Sequence, residues 1–287
     1  MISEETYMLS NGVTIPRIGL GTWFINNKNV AEVVRQSVRA GYRLIDTAQA
    51  YSNEAGVGEG IRTCGVPREQ LFVTSKIAAE AKSYAAARKA IDDILNKTGL
   101  EYLDLIIIHS PQPWKNWRKQ NKRFFKENIE VWRALEDAYK DKKVRAIGVS
   151  NFLIDDLKNI LENCTIKPMV NQILCHISNT PVNLLDYCKK NDILVESYAP
   201  IAHGKMLKDK TVMTMAEKYG VSVSQLCIRY DLQLGTVALP KSDNPEHIRE
   251  NISVDFEISE SDMKILKNIT PIKSYGLLKF MPVFSGK

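Results

Sequence analysis

Short apolar runs alternate along this chain with segments whose apolar residues recur every three or four positions. Eight runs stand out, at 18–22, 43–47, 71–77, 103–109, 144–150, 168–173, 193–199 and 236–240. Several lack in/out alternation (Leu105-Ile106-Ile107-Ile108), as parallel strands covered on both faces do. Between them, 30–40, 83–97, 129–140, 154–162, 182–190, 211–219 and 224–234 carry helical spacing. Strands alternating with helices through short, right-handed connections make a parallel α/β sheet. Eight repeats favour the closed (β/α)8 TIM barrel over an open doubly wound sheet. Ahead of the first repeat, Ser10-Asn11-Gly12 supplies an Asn-Gly turn between Tyr7-Met8-Leu9 and Val13-Thr14-Ile15, which predicts an N-terminal β-hairpin. With no linker, low-complexity tract or composition break, residues 1–287 read as a single barrel domain.

Composition narrows the class. At 44% hydrophobic and 25% charged, the chain is an ordinary globular one. No apolar run approaches the roughly 20 residues that cross a bilayer, and the acidic start Met1-Ile2-Ser3-Glu4-Glu5 lacks a signal-peptide core. A cytoplasmic protein with no membrane partner is the expectation. Cys64, Cys164, Cys175, Cys188 and Cys227 are odd in number and widely spaced, so they read as free thiols. His109, His176, His203 and His247 show no metal-ligand spacing, and no metal is expected. The net charge of +6 suits a phosphate-bearing small molecule, whereas nucleic acid would call for a denser basic stripe.

Polar residues interrupt the strands at telling places. Asp46, Lys76 and His109 each fall at or near the C-terminal end of a separate run, and Tyr51 lies just past one. In a barrel those ends form the active-site face, so four titratable groups converge on one mouth. Reducing a carbonyl by hydride requires a proton on the oxygen as charge builds there. A tyrosine can supply it, although its ordinary pKa near 10 is high. An ammonium about 4 Å away, at an effective dielectric near 20, attracts the phenolate by roughly 4 kcal/mol, so Lys76 is expected to lower the Tyr51 pKa. Asp46 would keep Lys76 charged, and His109 would hold the substrate oxygen.

Three sequence motifs add to this. Asp46-Thr47-Ala48-Gln49-Ala50-Tyr51-Ser52-Asn53-Glu54, Gly148-Val149-Ser150-Asn151-Phe152 and Pro240-Lys241-Ser242 occur in that order within the eight-fold pattern. On these motifs the chain resembles the aldo-keto reductase family over essentially its whole length. The resemblance implies NADPH-dependent reduction of aldehydes and ketones with the tetrad Asp46, Tyr51, Lys76 and His109. It also implies that Ser150, Asn151 and Gln172 bind the nicotinamide carboxamide and that Tyr198 stacks on the ring. Thr22, Trp23, Asp46, Ala199, Pro200 and Ile201 complete that end of the cofactor site. Lys241 and Ser242 should meet the adenosine 2′-phosphate, with His247, Glu250 and Asn251 nearby. The substrate, a small carbonyl compound, should meet Trp23, Tyr51, His109, Ser110 and Trp114, and the protein should act as a monomer.

Two positions depart from the family pattern. Ser110 stands where a tryptophan usually follows the catalytic histidine, which removes an aromatic wall. His247 stands where an arginine commonly grips the phosphate, and a histidine is only partly charged near neutral pH. NADPH remains the expected cofactor through Lys241, with NADH also accepted. Gly56-Val57-Gly58-Glu59-Gly60 follows Tyr51 rather than a strand, so it reads as the start of the second helix and not as a dinucleotide loop. Residues 110–131 hold Trp114 and Trp117 amid Lys115, Arg118, Lys119, Lys122, Arg123 and Lys126, either a solvated basic loop or a pocket wall drawing acidic substrates. The tail after Thr270 is short for the family and is expected to leave the mouth more open. The alternative function is a nucleotide-binding barrel that serves as sensor or subunit without turnover. Reduction of an activated C=C bond would favour glutamate at position 109, and His109 opposes it.

Overall fold

The computed structural model describes residues 1–272 and 274–285. The hairpin comes first, β1 (Thr6–Met8) against β2 (Thr14–Pro16), in antiparallel register with Tyr7 opposite Ile15. Leu9 N–H bonds to the Val13 carbonyl, and Gly12 takes the positive φ that the tight turn demands.

Eight parallel strands follow: β3 (Gly19–Gly21), β4 (Leu44–Asp46), β5 (Phe72–Ile77), β6 (Leu103–Ile108), β7 (Val144–Ser150), β8 (Val170–Leu174), β9 (Leu194–Tyr198) and β10 (Val237–Leu239). Each pairs with its neighbour in chain order. Parallel bridges Ile18 to Ala238 and Gly21 to Lys241 join the last strand to the first and close the barrel. The expected strands are all present, trimmed by a residue or two at several ends where pairing gives way to loop.

Ten α-helices lie among the described residues. They are α1 (Val30–Arg39), α2 (Glu54–Thr63), α3 (Tyr84–Thr98), α4 (Phe125–Lys140), α5 (Ile154–Asn163), α6 (Val182–Lys190), α7 (Lys210–Lys218), α8 (Val223–Gln233), α9 (Pro245–Ile252) and α10 (Glu260–Lys267). The helical pattern anticipated seven of these and the presence of α2. It missed α9 and α10, which are short and bury only three residues each. It also started α4 four residues late, because Phe125-Lys126-Glu127-Asn128 offers little helical apolar spacing.

The glycine run 56–60 lies inside α2, not at its start. A Cβ on Gly58 would sit 1.9 Å from the Thr98 carbonyl oxygen at the end of α3, and one on Gly56 would sit 2.4 Å from the Asn27 carbonyl oxygen. The glycines serve close helix contact, which outweighs their poor helix propensity. The main core is built from both sides of the strands, with Leu105, Ile107, Ile106 and Ile108 of β6 at zero exposure.

Candidate active site

The four expected catalytic residues meet at the C-terminal mouth of the barrel. Asp46 ends β4, Lys76 sits in β5, and His109 follows β6. Tyr51 closes a single 3-10 turn, Gln49–Tyr51, directly after β4. That turn is fastened by side chains that sequence reasoning passed over. Buried Asn53 accepts from Thr47 Oγ1 at 2.7 Å and donates to the carbonyls of Thr22 and Ile25, both at 2.9 Å. Gln49 Oε1 accepts the Ala78 N–H at 3.0 Å. Ser52, just after Tyr51, has φ +57, in the left-handed region. Of the ten non-glycine residues with positive φ among the described residues, eight lie in loops at this mouth: Phe24, Ser52, Arg118, Phe124, Asn151, Ala199, Ala202 and His203. Such strain gathers where a structure holds functional groups in place.

The electrostatics order the four groups. Lys76 Nζ donates to Asp46 Oδ2 at 2.6 Å and to the Thr47 carbonyl at 2.8 Å. Its ammonium lies 4.8 Å from the centre of the Tyr51 ring. Burial works against the Lys76 charge, but Asp46 and then Tyr51 more than offset it, and the lysine pKa ends above its ordinary value. Tyr51 departs from expectation. Burial raises its pKa, Lys76 opposes this, and Asp46 adds to the rise, so the net direction is upward. A counter-ion as close as Asp46 cancels much of what Lys76 would do to the phenol, leaving desolvation as the larger effect. Burial, helped by the Lys76 charge, pushes His109 well below the usual histidine range, and its imidazole is neutral. His109 Nδ1 is buried without a partner among the described residues.

Behind the mouth the network continues across the lumen. Gln172 Nε2 donates both to Asp46 Oδ1 and to Glu196 Oε2, each at 2.8 Å. Its amide nitrogen is therefore committed, and Oε1 is the atom left for a ligand. Ser150 Oγ donates to the Gln172 carbonyl at 2.9 Å. Asn151 Nδ2 donates to the His109 carbonyl and to Ser150 Oγ, both at 3.0 Å, and its Oδ1 accepts from Tyr198 at 2.7 Å. Tyr198 ends β9 half-buried, and Ala199 beyond it turns through φ +56 before Pro200 and Ile201. Thr22 is buried and donates to the Asp46 carbonyl at 2.9 Å. Past β10, exposed Lys241 pairs with Asp243 at 3.2 Å, Ser242 is buried, and Asn244 caps α9. His247 and Glu250 are exposed on that helix and Asn251 is buried. A lysine, a hydroxyl and a helix N-terminus converge there, a donor set that fits a phosphate.

Of the expected substrate contacts, Trp114 stands edge-on to His109 at 5.1 Å and Trp23 lies 6.5 Å from Tyr51, centre to centre. Ser110 is bonded within its own loop. It is fully buried, its hydroxyl accepts from the Gln112 N–H at 3.3 Å, and its carbonyl accepts from Lys82 at 2.8 Å. The tail also differs from expectation, because it folds back over the opening. Phe284 is 2% exposed and packs on His203, Tyr275 and Trp23 at 4.3, 5.0 and 5.8 Å. Tyr275 is itself tethered to His176 Nε2 at 2.8 Å. A wide cavity does open at the other end of the barrel, lined by Arg39, Arg43, Phe72 and Asp255 among others. It shares no residue with the mouth, and that face of a barrel is scaffold.

The sequence profile of the Aldo/keto reductase family matches residues 17–271. The glyoxal reductase of Bacillus subtilis is 44% identical over 262 residues, 91% of each chain. The 9,11-endoperoxide prostaglandin H2 reductase of Trypanosoma cruzi is 39% identical over 273 residues, covering 93% of this chain and 92% of that protein. Among solved structures, an aldo-keto reductase from a Medee basin deep-sea metagenome library superposes with a TM-score of 0.85 at 35% identity, over 98% of this chain and 96% of that one. The Bombyx mori aldo-keto reductase, solved in complex with NADP, gives 0.82 at 31% identity over 92% of both. This chain belongs to the aldo/keto reductase family. It is an oxidoreductase that uses NAD(P)H on carbonyl groups.

Proposed function

We propose that the chain reduces aldehydes or ketones to alcohols with NADPH, using Tyr51 as the proton donor. The observation that carries this reading is the placement of Tyr51 and His109 at one mouth with the Lys76–Asp46 pair, 2.6 Å apart, buried behind them. When bound, NADPH supplies the hydride that ends on the carbonyl carbon. The Tyr51 hydroxyl gives its proton to the carbonyl oxygen as charge develops there. Because burial keeps the phenol protonated, the acid is in its competent form at neutral pH. Lys76 stabilises the phenolate left behind, and Asp46 and the Thr47 carbonyl hold its ammonium in place. Neutral His109 is the positioning donor. Its Nδ1 is enclosed by protein, and an Nε2–H tautomer would aim the ring's one proton at the carbonyl oxygen.

Gln172 Oε1, Ser150 and Asn151 suit a carboxamide, the half-buried face of Tyr198 suits the nicotinamide ring, and Lys241 with Ser242 suits the 2′-phosphate. The same reading takes the enzyme as a cytoplasmic monomer, and its five free cysteines suit a reducing compartment. Tyr51→Phe tests it. The ring stays and only the donor goes, so NADPH affinity should hold while turnover falls by about 10²–10⁴-fold. Retention of more than half the wild-type rate would remove Tyr51 from the role.

A further inference from the structure

The loop between β6 and α4 brings a cation to the mouth that the reaction above does not use. Arg118 is half-buried, and among the described residues it has no carboxylate within ion-pair distance. The acid whose charge reaches it, Asp156, is engaged by Arg123 at 2.9 Å. Arg118 has five N–H donors and spends one of them, at 3.3 Å, on the Asn151 carbonyl. Its guanidinium carbon lies 4.3 Å from the centre of the Trp117 ring, a cation–π contact that leaves its remaining N–H donors uncommitted. Arg118 itself is held in strained backbone, at φ +55.

Their surroundings point to the substrate. Trp117 packs on Trp114 at 5.7 Å, and Trp114 stands against His109 at 5.1 Å. Asn151, on which Arg118 rests, bonds through its side chain to His109 and Tyr198. A partly desolvated cation with no counter-ion is costly unless an anion completes it. The 2′-phosphate is the wrong occupant, because its expected residues follow β10, which lies across the barrel from β6 in strand order.

We propose that Arg118, backed by the Trp117 ring, forms a subsite for the carboxylate of the substrate, so that the enzyme prefers carbonyl compounds bearing an acid group. This rests on the site being a carbonyl reductase. Lys115, Lys119, Lys122 and Lys126 of the same segment would add a field that draws such anions in.

The test compares kcat/KM with NADPH for matched pairs: succinic semialdehyde against butanal, and 4-carboxybenzaldehyde against benzaldehyde. Wild type should favour the acid member of at least one pair. In Arg118→Met that acid-to-neutral ratio should fall about 10- to 100-fold, the range for one charge-assisted hydrogen bond, and Arg118→Lys should keep part of it. Equal losses on both members of each pair would assign Arg118 to structure and overturn the proposal. An NADPH dissociation constant that moves while the ratio holds would make it a cofactor contact and overturn it too. Should no carbonyl be reduced at all, the reductase reading fails, and the subsite is then judged by titrating tryptophan fluorescence with oxamate. Saturable quenching that Arg118→Met abolishes would support the anion site, and its absence in wild type would sink it.

Discussion

Replacing Lys76 by methionine separates what the buried ion pair does for the fold from what it does for the reaction. The change leaves Asp46, 4% exposed, with the Gln172 amide at 2.8 Å but without its ammonium at 2.6 Å. Removing one member of a buried pair typically costs about 3–5 kcal/mol. At roughly 2 °C per kcal/mol for a chain of this size, the melting temperature should drop by about 6–10 °C. Asp46→Asn combined with Lys76→Met removes the stranded charge, so thermal unfolding should show most of that loss restored. Turnover should behave differently, falling at least ~100-fold in the single variant and staying low in the double one. In the alcohol-oxidising direction the phenolate must accept a proton. Lys76 is what opposes the upward pull of burial on Tyr51, so its loss should move the onset of that activity to higher pH. A double variant that regains stability and turnover together would refute the catalytic coupling, as would a normal rate in Lys76→Met.

Three further outcomes follow from other parts of the molecule. Lys241→Ala should reduce the preference for NADPH over NADH by about 10- to 100-fold and His247→Arg should strengthen it, read from both dissociation constants; a ratio indifferent to Lys241 would place the phosphate elsewhere. Gly58→Ala should destabilise by about 1–3 kcal/mol or more, because its Cβ meets the Thr98 backbone at 1.9 Å, and an unchanged denaturation midpoint would contradict that contact. Asp231 is fully buried with neither oxygen bonded among the described residues, and burial raises its pKa well above the ordinary range. The folded state thus keeps a proton that the unfolded chain gives up, so the stability it contributes is full at acid pH and is lost as pH climbs toward the raised value. Asp231→Asn should flatten that decline between pH 5 and 8, and parallel curves for the two proteins would count against it.

The barrel was legible because its signal is repetitive: eight apolar runs at even spacing need no single residue to be right. The tetrad was legible for another reason. Asp46, Lys76 and His109 are polar groups at strand ends, where a barrel has no packing use for them, and Tyr51 follows within one turn. What stayed hidden depends on contacts distant in sequence. Nothing local says that Phe284 turns back onto Trp23, or that Ser110 Oγ accepts the Gln112 N–H of its own loop. The direction of the Tyr51 shift was missed because a lysine beside a phenol can be inferred from position, whereas the depth at which both are buried cannot.

Glu196 is the instructive omission, since its signal was present. A carboxyl in the middle of the apolar run 193–199 has no more place in a barrel core than one at its end. It shares the two protons of Gln172 Nε2 with Asp46, and its Oε1 has no partner among the described residues. Burial, reinforced by the Asp46 charge, pushes its pKa up to about 7. Two carboxylates linked through one amide and facing one ammonium cannot both ionise without leaving excess negative charge in the lumen. Below neutrality Glu196 therefore holds its proton, and Lys76 is balanced by Asp46 alone. As the pH rises past neutral, Glu196 ionises and holds Lys76 more firmly in its charged form. Lys76 therefore stays charged on both sides of that titration, which is the state in which it opposes the upward pull of burial on Tyr51.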